Sequence, residues 1–120
     1  MIEKFEDLEI WKRSRALTVE MYGIMKKCKD YSFKDQITRA ALSIPSNIAE
    51  GFERGSDKEF IRFLNIARGS CGEVRTQISI FMEIGIIEKN IGNKLYVETK
   101  EISAMITSLI CKRKDFVNKK

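Results

Sequence analysis

The five residues GSDKE at positions 55–59 constrain the fold more than any other stretch of this sequence. They separate two long amphipathic patterns and leave no room for a loop between them. Gly55 suits the left-handed position that follows a helix end, Ser56 suits an N-cap, and Glu59 would complete a capping box. The junction therefore predicts a hairpin of two antiparallel helices.

The segment after the junction carries an unbroken heptad pattern, which predicts one long helix with a buried stripe. The stripe consists of Phe60, Leu64, Ala67, Cys71, Val74, Ile78 and Phe81. Because Cys71 falls on the stripe, we expect a buried thiol and not a nucleophile. Gly69 and Gly72 each cost a helix about 1 kcal/mol relative to alanine, so we expect another backbone to approach closely there.

The segment before the junction predicts a helix over about residues 33–54. Its apolar stripe consists of Phe33, Ile37, Ala41, Ile44, Ile48 and Phe52. The phase of the stripe is unchanged across Pro45, the only proline, so we predict a kink and not a loop. The carbonyl of Ala41 would lose its backbone partner, and we expect the hydroxyls of Ser43 and Ser46 to serve the freed groups.

Two further helical patterns flank this pair, one from about Glu6 to Cys28 and one from about Lys94 to Phe116. The stretch KNIGN at positions 89–93 has turn chemistry, so we assign residues 85–93 to a connection. No strand-like alternation competes with these patterns. The predicted fold is all-α, an antiparallel up-down-up-down four-helix bundle kinked at Pro45 in the second helix, with residues 1–120 forming a single domain.

Histidine is absent, which excludes several kinds of catalytic and metal site. The chain can hold no Ser-His-Asp or Cys-His pair and no two-histidine zinc site. It also lacks a Gly-rich phosphate loop and a CxxC motif. We therefore expect no enzymatic activity, no metal and no cofactor. The acidic N-terminus, the lack of a long apolar run and the three widely spaced cysteines favour a cytoplasmic protein without contact to a membrane.

The excess of positive charge is concentrated in clusters. The chain has 22 Lys and Arg residues against 17 Asp and Glu, a net charge of +5. In the predicted bundle, the start of the first helix lies beside the end of the fourth. We therefore predict one nucleic-acid-binding patch, made of Lys12, Arg13, Arg15, Lys112, Arg113 and Lys114. The alternative is that these bases complement helix dipoles and keep the protein soluble.

The second helix also has a regular polar face. It consists of Gln36, Arg39, Ser43, Asn47, Glu50 and Arg54. The face contains no lysine, whereas short amides and arginines suit fixed hydrogen bonds at a semi-buried contact. We favour a subunit interface or an inter-helix polar network over a solvated face.

Three stretches resemble a known family: FEDLEIWKRS at 5–14, DQITRAALSIPSNIAEGFERGSDKEFIRFLNIARGSCGE at 35–73 and KEISAMITSLI at 100–110. They are similar to the small four-helix bundle proteins named after 23S ribosomal RNA intervening sequences. More distantly, they resemble the accessory proteins of diversity-generating retroelements. The resemblance implies a homo-oligomer, typically a ring of five, without a settled biochemical role. The matching signature positions are Gln36, Arg39, Ser43, Asn47, Glu50, Gly51, Arg68, Ser70 and Glu73.

These observations lead to two hypotheses on function. The first is a non-enzymatic homo-oligomer that binds RNA or another nucleic acid through its basic surfaces. Most aromatic residues fall on or near core stripes, with Tyr31 and Tyr96 as exceptions, so recognition would be mainly of phosphates. The second is a protein-interaction scaffold that does not bind nucleic acid.

Overall fold

The computed structural model describes residues 2–119 and contains four α-helices and no strand among them. A short 3₁₀ helix, Phe5–Asp7, precedes α1, Glu9–Met25. The remaining helices are α2, Tyr31–Glu53, α3, Asp57–Glu83, and α4, Lys89–Asn118. The all-α fold with four helices is confirmed.

The junction between α2 and α3 has most of the predicted capping chemistry. Gly55 adopts a φ of 82°, and the Ser56 hydroxyl accepts a hydrogen bond from the Glu59 backbone N–H at 3.2 Å. The Glu59 carboxylate does not complete the box, because it accepts from Arg62 at 2.8 Å instead. The junction thus ends α2 and starts α3 with only one of the two hydrogen bonds of a capping box.

The start of α4 differs from the sequence prediction. The helix begins at Lys89, so KNIGN is its first turn and not part of a connection. Gly92 is buried there. A Cβ atom at this position would lie 2.4 Å from Met82 Sδ and 3.3 Å from Ile87 Cγ2. The glycine that suggests a turn therefore lies where α4 packs closely against the end of α3.

At each end of the α2–α3 interface, the start of one helix contacts the end of the other, as expected for neighbours that run in opposite directions. The rings of Phe33 and Phe81 are 5.3 Å apart, at the start of α2 and the end of α3. Those of Phe52 and Phe60 are 5.7 Å apart, at the end of α2 and the start of α3. These ring pairs close both ends of the α2–α3 interface.

The core contains the predicted stripes. All seven stripe residues of α3 are buried, and so are Ile37, Ala41, Ile44 and Ile48 of α2. Cys71 is fully buried, as predicted, and burial raises the pKa of its thiol to about 11 although the nearby Arg75 opposes this shift. The thiol is therefore protonated near neutral pH and unsuited to nucleophilic attack.

Pro45 is accommodated by a neighbouring helix and not by the local serines. α2 continues through Pro45. Because proline has no N–H, it cannot donate to the Ala41 carbonyl. That carbonyl instead accepts a hydrogen bond from the Thr18 hydroxyl of α1 at 3.0 Å. The same hydroxyl lies 2.8 Å from the Ser14 carbonyl, so its one proton is shared. The predicted role of Ser43 and Ser46 is wrong, since Ser43 bonds to other side chains and Ser46 is exposed.

Candidate assembly and nucleic-acid surfaces

Part of the polar face of α2 forms a network with α3. The hydroxyls of Ser43 and Ser70 are 2.8 Å apart, and Ser70 is only 8% exposed. The Asn47 amide donates to the Ser43 carbonyl at 2.7 Å and to its hydroxyl at 2.9 Å. These three signature residues link two helices across an otherwise apolar interface, which fixes their register. For them, the structure shows one of the two predicted alternatives, an inter-helix polar network.

At Gly51, α2 and α3 are in close contact. A Cβ atom there would lie 2.6 Å from Phe63 Cβ and 3.2 Å from Phe60 Cδ1. The predicted close approach at Gly69 and Gly72 is wrong within the subunit. Nothing lies within 4 Å of a Cβ at Gly69, and only Arg75 Nη2, at 3.9 Å, approaches one at Gly72.

An exposed network of charges surrounds the α2–α3 junction. Arg54 pairs with Glu50 at 2.9 Å and with Glu59 at 3.5 Å, and Arg62 pairs with Glu59 at 2.8 Å. Arg62 is the main cause of the lowered pKa of the Glu59 carboxyl. Both guanidinium groups also lie over the Phe63 ring, at 5.0 and 4.4 Å from its centroid. Because these pairs are exposed, they orient side chains more than they stabilise the fold.

The other signature residues point outward. Gln36, Arg39 and Glu73 are exposed and form no side-chain hydrogen bond or ion pair within residues 2–119. Arg68 is half-buried and donates to Thr107 and Asn65, at 3.1 and 2.7 Å. The polar face of α2 is thus partly an internal network and partly an open surface.

An apolar groove lies between α1 and α2. It has a volume of about 490 Å³ and is lined by Thr18, Val19, Tyr22, Thr38, Arg39 and Leu42. Val19 and Tyr22 are each 60% exposed, and Leu42 is 55% exposed. We call this surface the α1–α2 groove. Its three large apolar side chains lie off the core stripes of their helices, which is the signal that would have revealed it in the sequence.

Arg13, one of the predicted phosphate ligands, is occupied by carboxylates. Its Nε donates to Glu98 at 3.0 Å, its Nη2 binds both Glu98 and Glu101, and its Nη1 lies 3.3 Å from Met105 Sδ. Hydrogen bonds to the two carboxylates raise the pKa of Arg13 above its ordinary value. The side chain joins α1 to α4, so its charge is already neutralised.

Arg113 is engaged in a similar way. It donates to Asp57 at 3.1 Å, with both side chains less than a third exposed, and lies over the rings of Phe60 and Phe116 at 5.2 and 5.8 Å. This contact joins the end of α4 to the start of α3.

The other four predicted ligands remain exposed. Lys12, Arg15, Lys112 and Lys114 take part in none of the ion pairs found within residues 2–119. Lys112 lines a pocket of about 300 Å³ with Leu8, Glu9 and Ile10, which places Lys112 beside the start of α1. Glu9 lies in the same pocket and reduces the local positive charge.

Potential metal ligands and thiols are dispersed through the described part of the chain. Within residues 2–119, no group of three His, Cys, Asp or Glu side chains is placed to hold a metal ion. Cys28, Cys71 and Cys111 are free thiols, and only Cys111 is exposed. No helix in this range is long and apolar enough to cross a bilayer.

Known proteins share this sequence pattern and this fold. The family model described as 23S rRNA-intervening sequence protein matches residues 6–108, which confirms the resemblance. A protein of unknown function from the S23 ribosomal protein family of Bacteroides thetaiotaomicron has a similar crystal structure, with a TM-score of 0.79. The match has 24% sequence identity and covers 84% of this chain and 97% of that chain, which shows a shared fold. No curated protein matches the sequence.

Proposed function

The chain belongs to the 23S rRNA-intervening sequence protein family, and from this we propose that it is a non-catalytic bundle that assembles with copies of itself and binds RNA phosphates. The observation that carries the RNA part is a set of exposed cations on α1 and near the end of α4 that take part in none of the ion pairs found within residues 2–119. We call Lys12, Arg15, Lys112 and Lys114 the basic edge. Arg13 and Arg113 are left out because carboxylates already neutralise them.

Assembly strengthens the effect of this small patch. A net charge of +5 on one subunit produces a weak potential. In a closed ring, such as the five-membered one that the family resemblance implies, every basic edge is repeated about the axis. The repeated edges would form a belt that attracts a polyanion along its length. The proposal places the protein in the cytoplasm, where its free cysteines would stay reduced.

Salt dependence of binding to single-stranded poly(U) tests this proposal. Replacing all four basic-edge residues by glutamine should flatten the log–log salt slope by about 0.7 for each phosphate that is no longer bound. The control replaces three lysines by glutamine, so the two variants are compared per replaced residue. These are Lys26, Lys27 and Lys29, which are exposed at the other end of α1 and its following turn. Equal weakening in both variants would reduce the binding to diffuse attraction, and no binding by the wild type would end the RNA proposal.

The α1–α2 groove favours a second function, that of a scaffold for another protein. Its exposed Val19, Tyr22 and Leu42 form an apolar surface of the kind that protein partners cover. Recovery of RNA with the tagged protein separates the two functions. If the tagged protein recovers no more RNA than a neutral control protein does, the scaffold function is favoured.

A further inference from the structure

The groove between α3 and α4 contains an arginine that no carboxylate of residues 2–119 neutralises. It has a volume of about 410 Å³ and is lined by Gly72, Arg75, Thr76, Ser79, Ile80 and Tyr96. Arg75 is half-buried and takes part in none of the ion pairs found within residues 2–119. No acidic side chain lines the groove, which we call the Arg75 groove.

Several donors in this groove lack a strong acceptor. Arg75 Nη1 approaches the Thr99 carbonyl only at 3.5 Å, the limit of a hydrogen bond. The hydroxyls of Ser79 and Tyr96 form no hydrogen bond with the described part of the chain. The Thr76 hydroxyl differs, since it donates to the Gly72 carbonyl at 2.9 Å. The Arg75 guanidinium and the hydroxyls of Ser79 and Tyr96 therefore line one cavity, and these donors lack a strong acceptor in the described part of the chain.

We propose that the Arg75 groove binds a phosphate group. A guanidinium fork matches two phosphate oxygens, and the hydroxyls of Ser79 and Tyr96 can donate to such an anion. Gly72 leaves the space open, because a Cβ there would meet only Arg75 Nη2 at 3.9 Å. The volume falls within the range of small-molecule sites, about 300–1,000 Å³. The phosphate can come from a small phosphorylated molecule or from an RNA backbone.

This inference goes beyond the basic edge and does not depend on it. The Arg75 groove lies between α3 and α4, whereas the basic edge is formed by α1 and the end of α4. A small phosphate ligand would occupy the groove even if the protein bound no RNA.

Two substitutions remove the site by different means. Arg75→Gln removes the charge, and Gly72→Leu fills the groove while keeping the charge of Arg75. Their controls are Lys27→Gln, at an exposed lysine that takes part in none of the ion pairs found within residues 2–119, and Gly69→Leu, at an exposed glycine with free space around it. Circular dichroism verifies the folding of each variant. If Arg75→Gln does not fold, Gly72→Leu decides the question.

The probes are inorganic phosphate and single-stranded poly(U), titrated separately and followed by NMR shifts of the Arg75 and Tyr96 side chains. Both site variants should weaken binding of at least one probe about tenfold, and both controls should bind like the wild type. NMR shifts with inorganic phosphate but not with poly(U) indicate a small phosphorylated ligand. Shifts with poly(U) that Gly72→Leu abolishes indicate RNA. If neither probe shifts these side chains, or if the site variants bind like the wild type, the inference is wrong.

Discussion

Gly51 and Gly92 are single residues that determine how closely two helices pack. At Gly51 the obstacle to a side chain is Phe63 Cβ, an atom fixed to the backbone of α3. At Gly92 the obstacle is the flexible thioether of Met82, which can rotate away. An added methyl group should therefore cost more at Gly51.

We expect Gly51→Ala to lower the free energy of unfolding by about 1–3 kcal/mol, because α3 must move to relieve the overlap. Gly69→Ala is the control. It should raise the free energy of unfolding by up to about 1 kcal/mol, since alanine favours the helix and meets no neighbour. Urea denaturation of both variants measures the difference. Similar midpoints for the two variants would contradict the tight contact at Gly51.

The sequence could not show at which glycine an added side chain costs most. Periodicity shows which face a residue occupies, but the obstacle at Gly51 is a side chain on another helix. The same limit applies to Arg13. Its partner Glu98 is 85 positions away, so charge clustering alone suggested a free cation. The internal heptad of α3, by contrast, was predicted fully, because burial along one helix depends on local spacing.

At the scale of the helices, α1 and α2 share a hydrogen bond that compensates for a proline. Pro45 has no N–H to offer the Ala41 carbonyl, and the Thr18 hydroxyl of α1 takes its place. The Pro45 kink itself stays a prediction. The sequence revealed the missing bond but not the replacement, since Thr18 lies on a different helix.

A double-mutant cycle tests this compensation. Thr18→Val should lower the free energy of unfolding by about 1–3 kcal/mol, because the Ala41 carbonyl loses its donor. In a Pro45→Ala background the helix can supply its own N–H, so the same change should cost less. Thermal or urea unfolding of the four proteins gives the coupling energy. A coupling energy near zero would show that the Thr18 contact does not serve the carbonyl.

At the scale of the whole molecule, the bundle is elongated, with dimensions of 50 × 21 × 19 Å. Its long sides leave room for contact with other subunits, and the α1–α2 groove lies on one of them. In the proposed assembly, unlike in the scaffold alternative, a second copy of the chain would cover Val19, Tyr22 and Leu42, which are otherwise exposed to water.

We expect Leu42→Glu to disrupt this assembly by placing a charge in an apolar contact. The control is Val97→Glu on α4, where the side chain is 53% exposed and lies outside the groove. Size-exclusion chromatography with light scattering should give a multiple of 13.9 kDa for the wild type and the control, and a mass near 13.9 kDa for Leu42→Glu. A monomeric wild type at micromolar concentration would remove the assembly proposal.

The pocket at the α2–α3 junction also brings the two ends of the described chain together. Ile2 and Phe116 line the same cavity of about 580 Å³, beside Phe60 and Arg113. A short linker could therefore join residue 119 to residue 2 without crossing the bundle. New ends could then be opened in the turn around residues 26–30, which would give a circular permutant with the same neighbours for every helix. A fluorophore or surface tether attached beside Ile2 or Phe116 would likewise leave the opposite end of the bundle unobstructed.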